Sequence, residues 1–374
     1  MTARRILFVD HATAPGGAEH ALLTLFAALD RTRFAPQLAS PAGALADAAS
    51  GLGIRVHHLP LPRLRAAPGA PWHLARAVAA LMRIIRESGV ELVHVNTVRA
   101  SVYGGLAARL TRRRLVWHVH DILEPGVYVR GMCRAADVAV AVSAAVAAPL
   151  PCVGKVRVIH NGVRSETFRI NRTPEAARLR AQWGIPPAAP LVGQVARLQP
   201  WKGQRDVIAV AEMLAGDVPD LHVAVVGGDI FGDAPAYERE LRARVRDRGL
   251  TGRVVFAGHQ DDVPAVLAAL DVLVHASDRE PFGRILIEAG AAGLPVVAYA
   301  SGAVPEIIVH DKTGVLVPPG DRGALAAALR RVLADPALAR RLGETARAEV
   351  AVRFDARRLT RELEHVFDAV LEPS

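Results

Sequence analysis

The sequence predicts an α/β protein of two doubly wound, Rossmann-like domains, each a parallel sheet with helices on both faces. Three observations carry this. At 374 residues and 51% hydrophobic content, the chain is too large for one core, because single cores stop growing near ~250–300 residues. Short apolar runs of strand length alternate with Ala, Leu and Arg-rich stretches of helical period, the pattern of strand–helix–strand units and hence of parallel sheets. The alternation weakens once, over residues 165–190, where Asn, Thr and Pro accumulate. There the first domain, residues 1–165, gives way to the second, residues 166–354.

In order along the first domain, strands are expected at Ile6 to Val9, Leu92 to Val95, Leu115 to Val119, Val138 to Val142 and Val156 to Ile159. Helices are expected over Leu22 to Leu29 and, from its period, Trp72 to Ile85. A short helix near Pro174 to Trp183 lies in the linker. The second domain restarts with Leu191 to Val195, Leu221 to Val226, Val254 to Ala257, Val272 to His275, Val296 to Tyr299 and Val315 to Val317. Doubly wound domains bind ligands at the carboxyl ends of their strands, so the two are expected to face each other across a cleft.

Composition narrows the class. Cys133 and Cys152 are too few for a disulfide framework and are expected to be inert thiols in a reducing compartment. Asp10 cuts the apolar run after Arg4 and Arg5 far short of a signal-peptide core. Val138 to Leu150 is shorter than a spanning helix and contains Ser143 and Pro149, so it reads as a buried strand and a helix. A cytoplasmic protein is expected.

The net charge of +9 is uneven. Residues 1–165 carry 20 Lys+Arg against 9 Asp+Glu, net +11, while residues 166–374 carry 26 against 28, net −2. Arg109, Arg112, Arg113 and Arg114 cluster, with Arg63, Arg65, Arg76, Arg83 and Arg86 upstream. The patch is either a solvated surface or one that meets an anionic membrane face or a phosphate-bearing acceptor. No aromatic-interleaved basic stripe or helix-turn-helix pattern points to nucleic acid.

The most informative stretch runs from Glu280 to Ala298. Glu280 follows an apolar run, Pro281 suits a first helical turn, and Glu288 falls about two turns into the helix. The amides of Phe282, Gly283 and Arg284 at a helix N-terminus suit an anionic diphosphate. Carboxylates accept from hydroxyls, so the glutamates suit the sugars on either side of it. The plainer reading makes Arg284 and Glu288 an i,i+4 pair and Glu280 a loop charge. After the strand Leu191 to Val195, Arg197 and Lys202 are placed to clamp a diphosphate, one as a planar fork and one as a point charge. Gly227 and Gly228 end the next strand, where small residues let a nucleotide approach the backbone or make an ordinary turn.

In the first domain, Gly16 and Gly17 form a turn open to a phosphate, though neither a dinucleotide fingerprint nor a P-loop is present. His118 and His120 share a face at a strand end, with Asp121 next; the set is incomplete for a metal. Asp262, before Val263-Pro264, reads as a helix N-cap rather than part of a metal-binding Asp-x-Asp.

Together Glu280 to Ala298, Arg197-x4-Lys202-Gly203, Gly16-Gly17, His120-Asp121, Val158 to Val163, Ser301 to Glu306 and Asp311 to Val317 resemble the family 4 retaining glycosyltransferases over most of the chain. Ala303 stands where the family has a second glycine. The resemblance implies the GT-B fold, a C-terminal helix within residues 355–374 that crosses back to the first domain, and no metal or other cofactor. It assigns Glu280 to the donor sugar, Glu288 to the nucleotide ribose, Arg197 and Lys202 to the diphosphate, and His120 to the donor sugar's hydroxyls. Gly16, Gly17, Gly228, Phe282, Gly283 and Arg284 are the remaining donor-binding candidates.

The expected function is transfer of a sugar, with retention, from a nucleoside diphosphate sugar to a hydroxyl of a sugar, lipid-linked or small-molecule acceptor in polysaccharide, glycolipid or related synthesis. A nucleotide-sugar epimerase of the same fold and a non-catalytic nucleotide-sugar-binding protein are the alternatives.

Overall fold

The structure, a computed structural model, describes residues 3–63, 70–228 and 235–372. Arg65 lies outside the described residues. The chain divides into two compact units, residues 1–162 with 356–374, and residues 163–355.

The first unit holds a seven-stranded sheet in the order β3-β2-β1-β4-β5-β6-β7. Its strands are β1 (Arg4–Val9), β2 (Phe34–Ser40), β3 (Arg55–His58), β4 (Leu92–Val95), β5 (Arg114–Val119), β6 (Val138–Ala141) and β7 (Val156–Val158), all paired in parallel. Helices on both faces bury the central strands: Ile6 to Val9 of β1 and all of β4, His94 included, are buried. The sequence reading missed β2 and β3. Pro36 and Gln37 argue locally against a strand, yet β2 pairs with β1 from Arg4↔Phe34 to Val9↔Ala39, so tertiary pairing overrides the local signal.

The chain leaves this unit at Gly162 and returns at Ala356. The returning helix, Ala356–Leu371, buries Leu359, Leu363, Phe367 and Val370 in the first core. Phe367 meets Phe8 and Phe34 edge-on at centroid distances of 6.2 and 5.8 Å. Its Glu364 accepts from the Asp30 amide at 2.8 Å and pairs with Arg33 at 3.2 Å.

Cys133 and Cys152 correct the expectation of two thiols: they form a disulfide with Cα atoms 4.8 Å apart. The bridge joins the helix Val127–Ala135 to the segment before β7. Two cysteines make no framework, but one bridge needs only this approach, which sequence spacing does not reveal.

The second unit holds a six-stranded parallel sheet in the order β10-β9-β8-β11-β12-β13. Its strands are β8 (Leu191–Val195), β9 (His222–Val226), β10 (Val254–Gly258), β11 (Val272–His275), β12 (Val296–Tyr299) and β13 (Val315–Val317). In each sheet the winding direction reverses once, between β1 and β4 in the first and between β8 and β11 in the second. A crevice at the carboxyl ends of such a strand pair is where doubly wound sheets take ligands.

One helix start departs from expectation. The helix after Glu280 begins at Arg284, not Pro281, because Gly283 adopts a left-handed conformation (φ 88°) as its N-cap. Glu288 therefore lies little more than one turn in. As expected, Asp262 caps its helix by accepting from the Ala265 amide at 3.1 Å. Among the described residues, no helix is long and apolar enough to cross a membrane.

Candidate active site

In the second unit, the site is assembled by the loops that follow β8 and β11. After β8 the chain makes a short turn, Pro200–Lys202, ended by Gly203 at φ 74°. A Cβ at Gly203 would lie 2.0 Å from the Ala276 carbonyl oxygen, so only glycine lets this turn press on the end of β11. The Asp278 amide donates to the Trp201 carbonyl at 2.7 Å, and Gln194 Nε2 donates to the Lys202 carbonyl at 2.6 Å. These bonds deliver Lys202 to Glu280: Nζ donates to Oε2 at 2.7 Å while lying 4.0 Å from the Trp201 ring centroid. His275, the last residue of β11, places Nε2 3.0 Å from the same oxygen.

Glu280 is also held by its backbone. Its carbonyl accepts from the Ala303 amide at 2.8 Å, and a Cβ at Gly302 would approach that carbonyl oxygen to 2.2 Å. The Ser301 to Glu306 loop thus packs on the glutamate's own main chain.

Glu280 is 4% exposed. Burial alone would raise its pKa, but the Lys202 charge and the His275 hydrogen bond outweigh it and hold the carboxyl well below the usual carboxylate range. Burial pushes the Lys202 ammonium down, opposed by Glu280 and reinforced by the charge of Arg197. The arrangement is a buried ion pair with a second donor on the same carboxylate oxygen. Removing either partner leaves an uncompensated buried charge.

The remaining candidates of this unit fall into place unevenly. Phe282 is buried, its ring 6.2 Å from that of Phe354, so its side chain belongs to packing. Arg284 and Glu288 form the i,i+4 pair, at 3.0 Å, while Arg284 Nη1 is buried without a hydrogen-bond partner. The Gly228 carbonyl accepts from the Leu198 amide at 3.3 Å. Gly227, not Gly228, is the tightly packed glycine: a Cβ there would lie 2.0 Å from the Ala196 carbonyl oxygen, whereas one at Gly228 meets only His259 N at 3.9 Å. Asp229 lies outside the described residues.

In the first unit, the strand ends carry a second constellation. Gly16 caps the helix Gly17–Ala28, and its amide donates to the Glu19 carboxylate at 2.8 Å, the half of a capping box that a glycine can make. One of the glycine loop's amides is therefore already engaged. His120 follows β5, and its Nε2 lies 3.0 Å from Asn96 Oδ1, just after β4; Asn96 Nδ2 donates to Asp10 Oδ2 at 2.8 Å, just after β1. His118 stacks on His120 at 4.3 Å and His94 meets His118 at 5.2 Å. Burial pushes His118 down to about 4 and holds His94 well below its ordinary value, so both are neutral core residues. Among the described residues, no three His, Cys, Asp or Glu side chains gather as a metal-binding group.

The structure thus adds His275, Asn96 and Asp10 to the residues singled out by sequence. Each sits at or just beyond the end of an apolar run, the one signal that could have found them.

Comparison with known proteins agrees with this geometry. The chain matches Glycosyl transferases group 1 over residues 175–349 and Glycosyltransferase Family 4 over residues 15–167. It superposes on the crystal structure of Anabaena HepE in complex with UDP-glucose with a TM-score of 0.86 and 29% identity, covering 98% of this chain and 99% of that one. A 2-deoxystreptamine N-acetyl-D-glucosaminyltransferase of Streptomyces fradiae is 37% identical over 196 residues, 51% of this chain and 45% of that protein. An N-acetyl-alpha-D-glucosaminyl L-malate synthase of Bacillus anthracis is 29% identical over 197 residues, 53% and 50% of the two chains. The chain spans about half the length of the curated relatives it matches.

Two Rossmann-like units, each with candidate site residues at its switch point, define a protein of the GT-B class. Within that class, the chain belongs to the family 4 glycosyltransferases.

Proposed function

We propose that the protein is a metal-independent, retaining glycosyltransferase that moves a sugar from a nucleoside diphosphate sugar to an acceptor hydroxyl. The observation that carries the reading is the Lys202–Glu280–His275 cluster, closed at 2.7 and 3.0 Å at the β8/β11 switch point. In this reading the second unit binds the donor. Arg197 and Lys202 stabilise the departing diphosphate, where the largest charge develops. Glu280 Oε1, the oxygen not engaged by Lys202 and His275, takes a donor-sugar hydroxyl, and Glu288 takes the ribose. The main chain of Phe282, Gly283 and Arg284, with Gly228, lines the nucleotide.

The first unit supplies the acceptor side, with His120 at the sugar's hydroxyls and Gly16 and Gly17 near the phosphate. The bond from sugar C1 to the diphosphate oxygen breaks as the acceptor oxygen bonds C1 on the same face. The acceptor's proton passes to the departing phosphate oxygen. Its setting is polysaccharide, glycolipid or related synthesis, with reversible attachment of the basic first unit to an anionic membrane face.

The test is product analysis with UDP-glucose, the compound in complex with HepE, and a panel of other nucleotide sugars. Slow release of nucleoside diphosphate without acceptor, unchanged by EDTA, is expected; activity lost to EDTA and restored by magnesium or manganese would contradict metal independence. An epimerised sugar would make the protein an isomerase. Binding without turnover of any donor would make it a sensor.

A further inference from the structure

We infer that Asn96, anchored on Asp10, is a positioning residue that fixes the proton of His120 on Nε2, so that the ring meets a substrate hydroxyl as an acceptor through Nδ1. The functional half of this rests on the role proposed above for His120. The structural half rests on the orientation of one amide.

Asn96 is 1% exposed and Asp10 fully buried. The amide nitrogen of Asn96 faces two oxygens, Asp10 Oδ2 at 2.8 Å and the Ala18 carbonyl at 3.4 Å. A peptide carbonyl only accepts, so turning the amide over would set oxygen against oxygen. The contact with Ala18 holds this orientation whichever protonation state Asp10 adopts. Burial pushes the Asp10 carboxyl up, while hydrogen bonds from the Ala12 amide, the Asn96 side chain and the His11 amide oppose that rise. Ala12 N reaches Asp10 Oδ1 at 2.9 Å, so both carboxyl oxygens are engaged by N–H groups.

With the amide fixed, Oδ1 is the Asn96 atom 3.0 Å from His120 Nε2. An amide oxygen cannot donate, so Nε2 must carry the hydrogen. In the neutral imidazole the lone pair then belongs to Nδ1. His118, stacked on the ring at 4.3 Å, is buried and neutral, as is His94 behind it. Asp10 acts on His120 through Asn96. A buried carboxyl and a buried amide at two adjacent strand ends are costly unless paired. Here the pairing orients a third group.

Nitrogen-15 NMR of the histidine-labelled full-length chain, with His120 assigned by the signals missing in His120→Gln, reads the tautomer directly. Nε2 protonated and Nδ1 unprotonated is the expected result. Asn96→Ala should convert this to a mixture of tautomers and lower kcat about tenfold or more, the scale for losing an outer partner of a functional histidine. A wild-type ring protonated on Nδ1, or a tautomer unmoved in Asn96→Ala, would overturn the inference, and the wild-type spectrum, assigned through His120→Gln, decides even if Asn96→Ala does not fold. Should the tautomer be as stated while His120→Gln transfers sugar normally, the positioning by Asn96 stands and the proposed role of His120 falls.

Discussion

Lys202 and Glu280, 78 residues apart in sequence, share a hydrogen-bonded ion pair of 2.7 Å in the interior of the second unit. The pair changes how the proposed cationic clamp is understood. Lys202 does not wait at the surface beside Arg197; its ammonium is pre-positioned by a carboxylate, itself fixed by His275. A donor that needs no rearrangement at the moment of reaction is the kind that stabilises a transition state well.

Lys202→Ala should therefore lower kcat by about a hundredfold or more, the scale for one preorganised charge donor. Lys202→Arg should restore little, because a planar fork cannot replace a compact ammonium between Trp201 and Glu280. Steady-state kinetics with a fixed donor and acceptor measure both. Near-normal turnover in Lys202→Ala would remove this cation from the mechanism.

The same pair sets a pH dependence of stability. Glu280 has its carboxyl held below the ordinary value of 4.5, so the unfolded chain takes up its proton first as pH falls. The pair's contribution is fully present above about pH 4.5 and is lost as pH falls from there toward the folded pKa. The Tm of the wild type should thus drop more steeply between about pH 5 and 3 than that of Glu280→Gln, in which this titration is absent. Parallel Tm curves for the two proteins would show that Glu280 is not held anionic by its neighbours.

How much of this was legible in the sequence follows from where each residue lies. Glu280, Glu288, Arg197 and Lys202 sit in polar loops after apolar runs, where their spacing is informative, and β8, β11, β12 and β13 fall within the predicted runs. His275 closes an apolar run and was read as part of it. Asn96 and Asp10 are joined over 86 residues, and no local pattern records such a distance. Pro36 hid β2, and the sequence separation of 19 from Cys133 to Cys152 says nothing of a 4.8 Å approach. What escaped was long-range pairing; what was found was local punctuation.

Gly203 offers a test of how the turn delivers Lys202. Gly203→Ala combines a left-handed backbone of φ 74° with a Cβ 2.0 Å from the Ala276 carbonyl oxygen, and neither backbone can yield without moving the other. The variant should lose more than the ~1 kcal/mol typical of a strained backbone position, and kcat should fall with it as Nζ is displaced. Chemical denaturation and kinetics read the two effects. Wild-type stability in Gly203→Ala would mean that the turn relaxes freely and does not fix the lysine.

The basic first unit leads to the last prediction, reversible attachment to an anionic membrane face. Arg109, Arg112 and Arg113 are exposed where the helix Val98–Leu110 turns into β5. Leu106 and Leu110, 41% and 59% exposed, stand on the same helix end. Arg114 is less available, being paired with Asp137 at 3.0 Å. This patch lies where β5 begins, whereas His120 follows where it ends, roughly 20 Å away at the rise of a strand. Attachment there would leave the strand ends of this unit unobstructed. Each cation near a charged surface contributes about 1 kcal/mol, decaying within a Debye length of ~8 Å at physiological salt. Three arginines with two leucines thus suffice for binding that rising salt reverses. Co-sedimentation should be strong with vesicles containing phosphatidylserine, weak with phosphatidylcholine alone, and lost when Arg109, Arg112 and Arg113 are changed to Ser. If neither vesicle type sediments the protein at low salt, the patch is a solvated surface and the acceptor is met in solution.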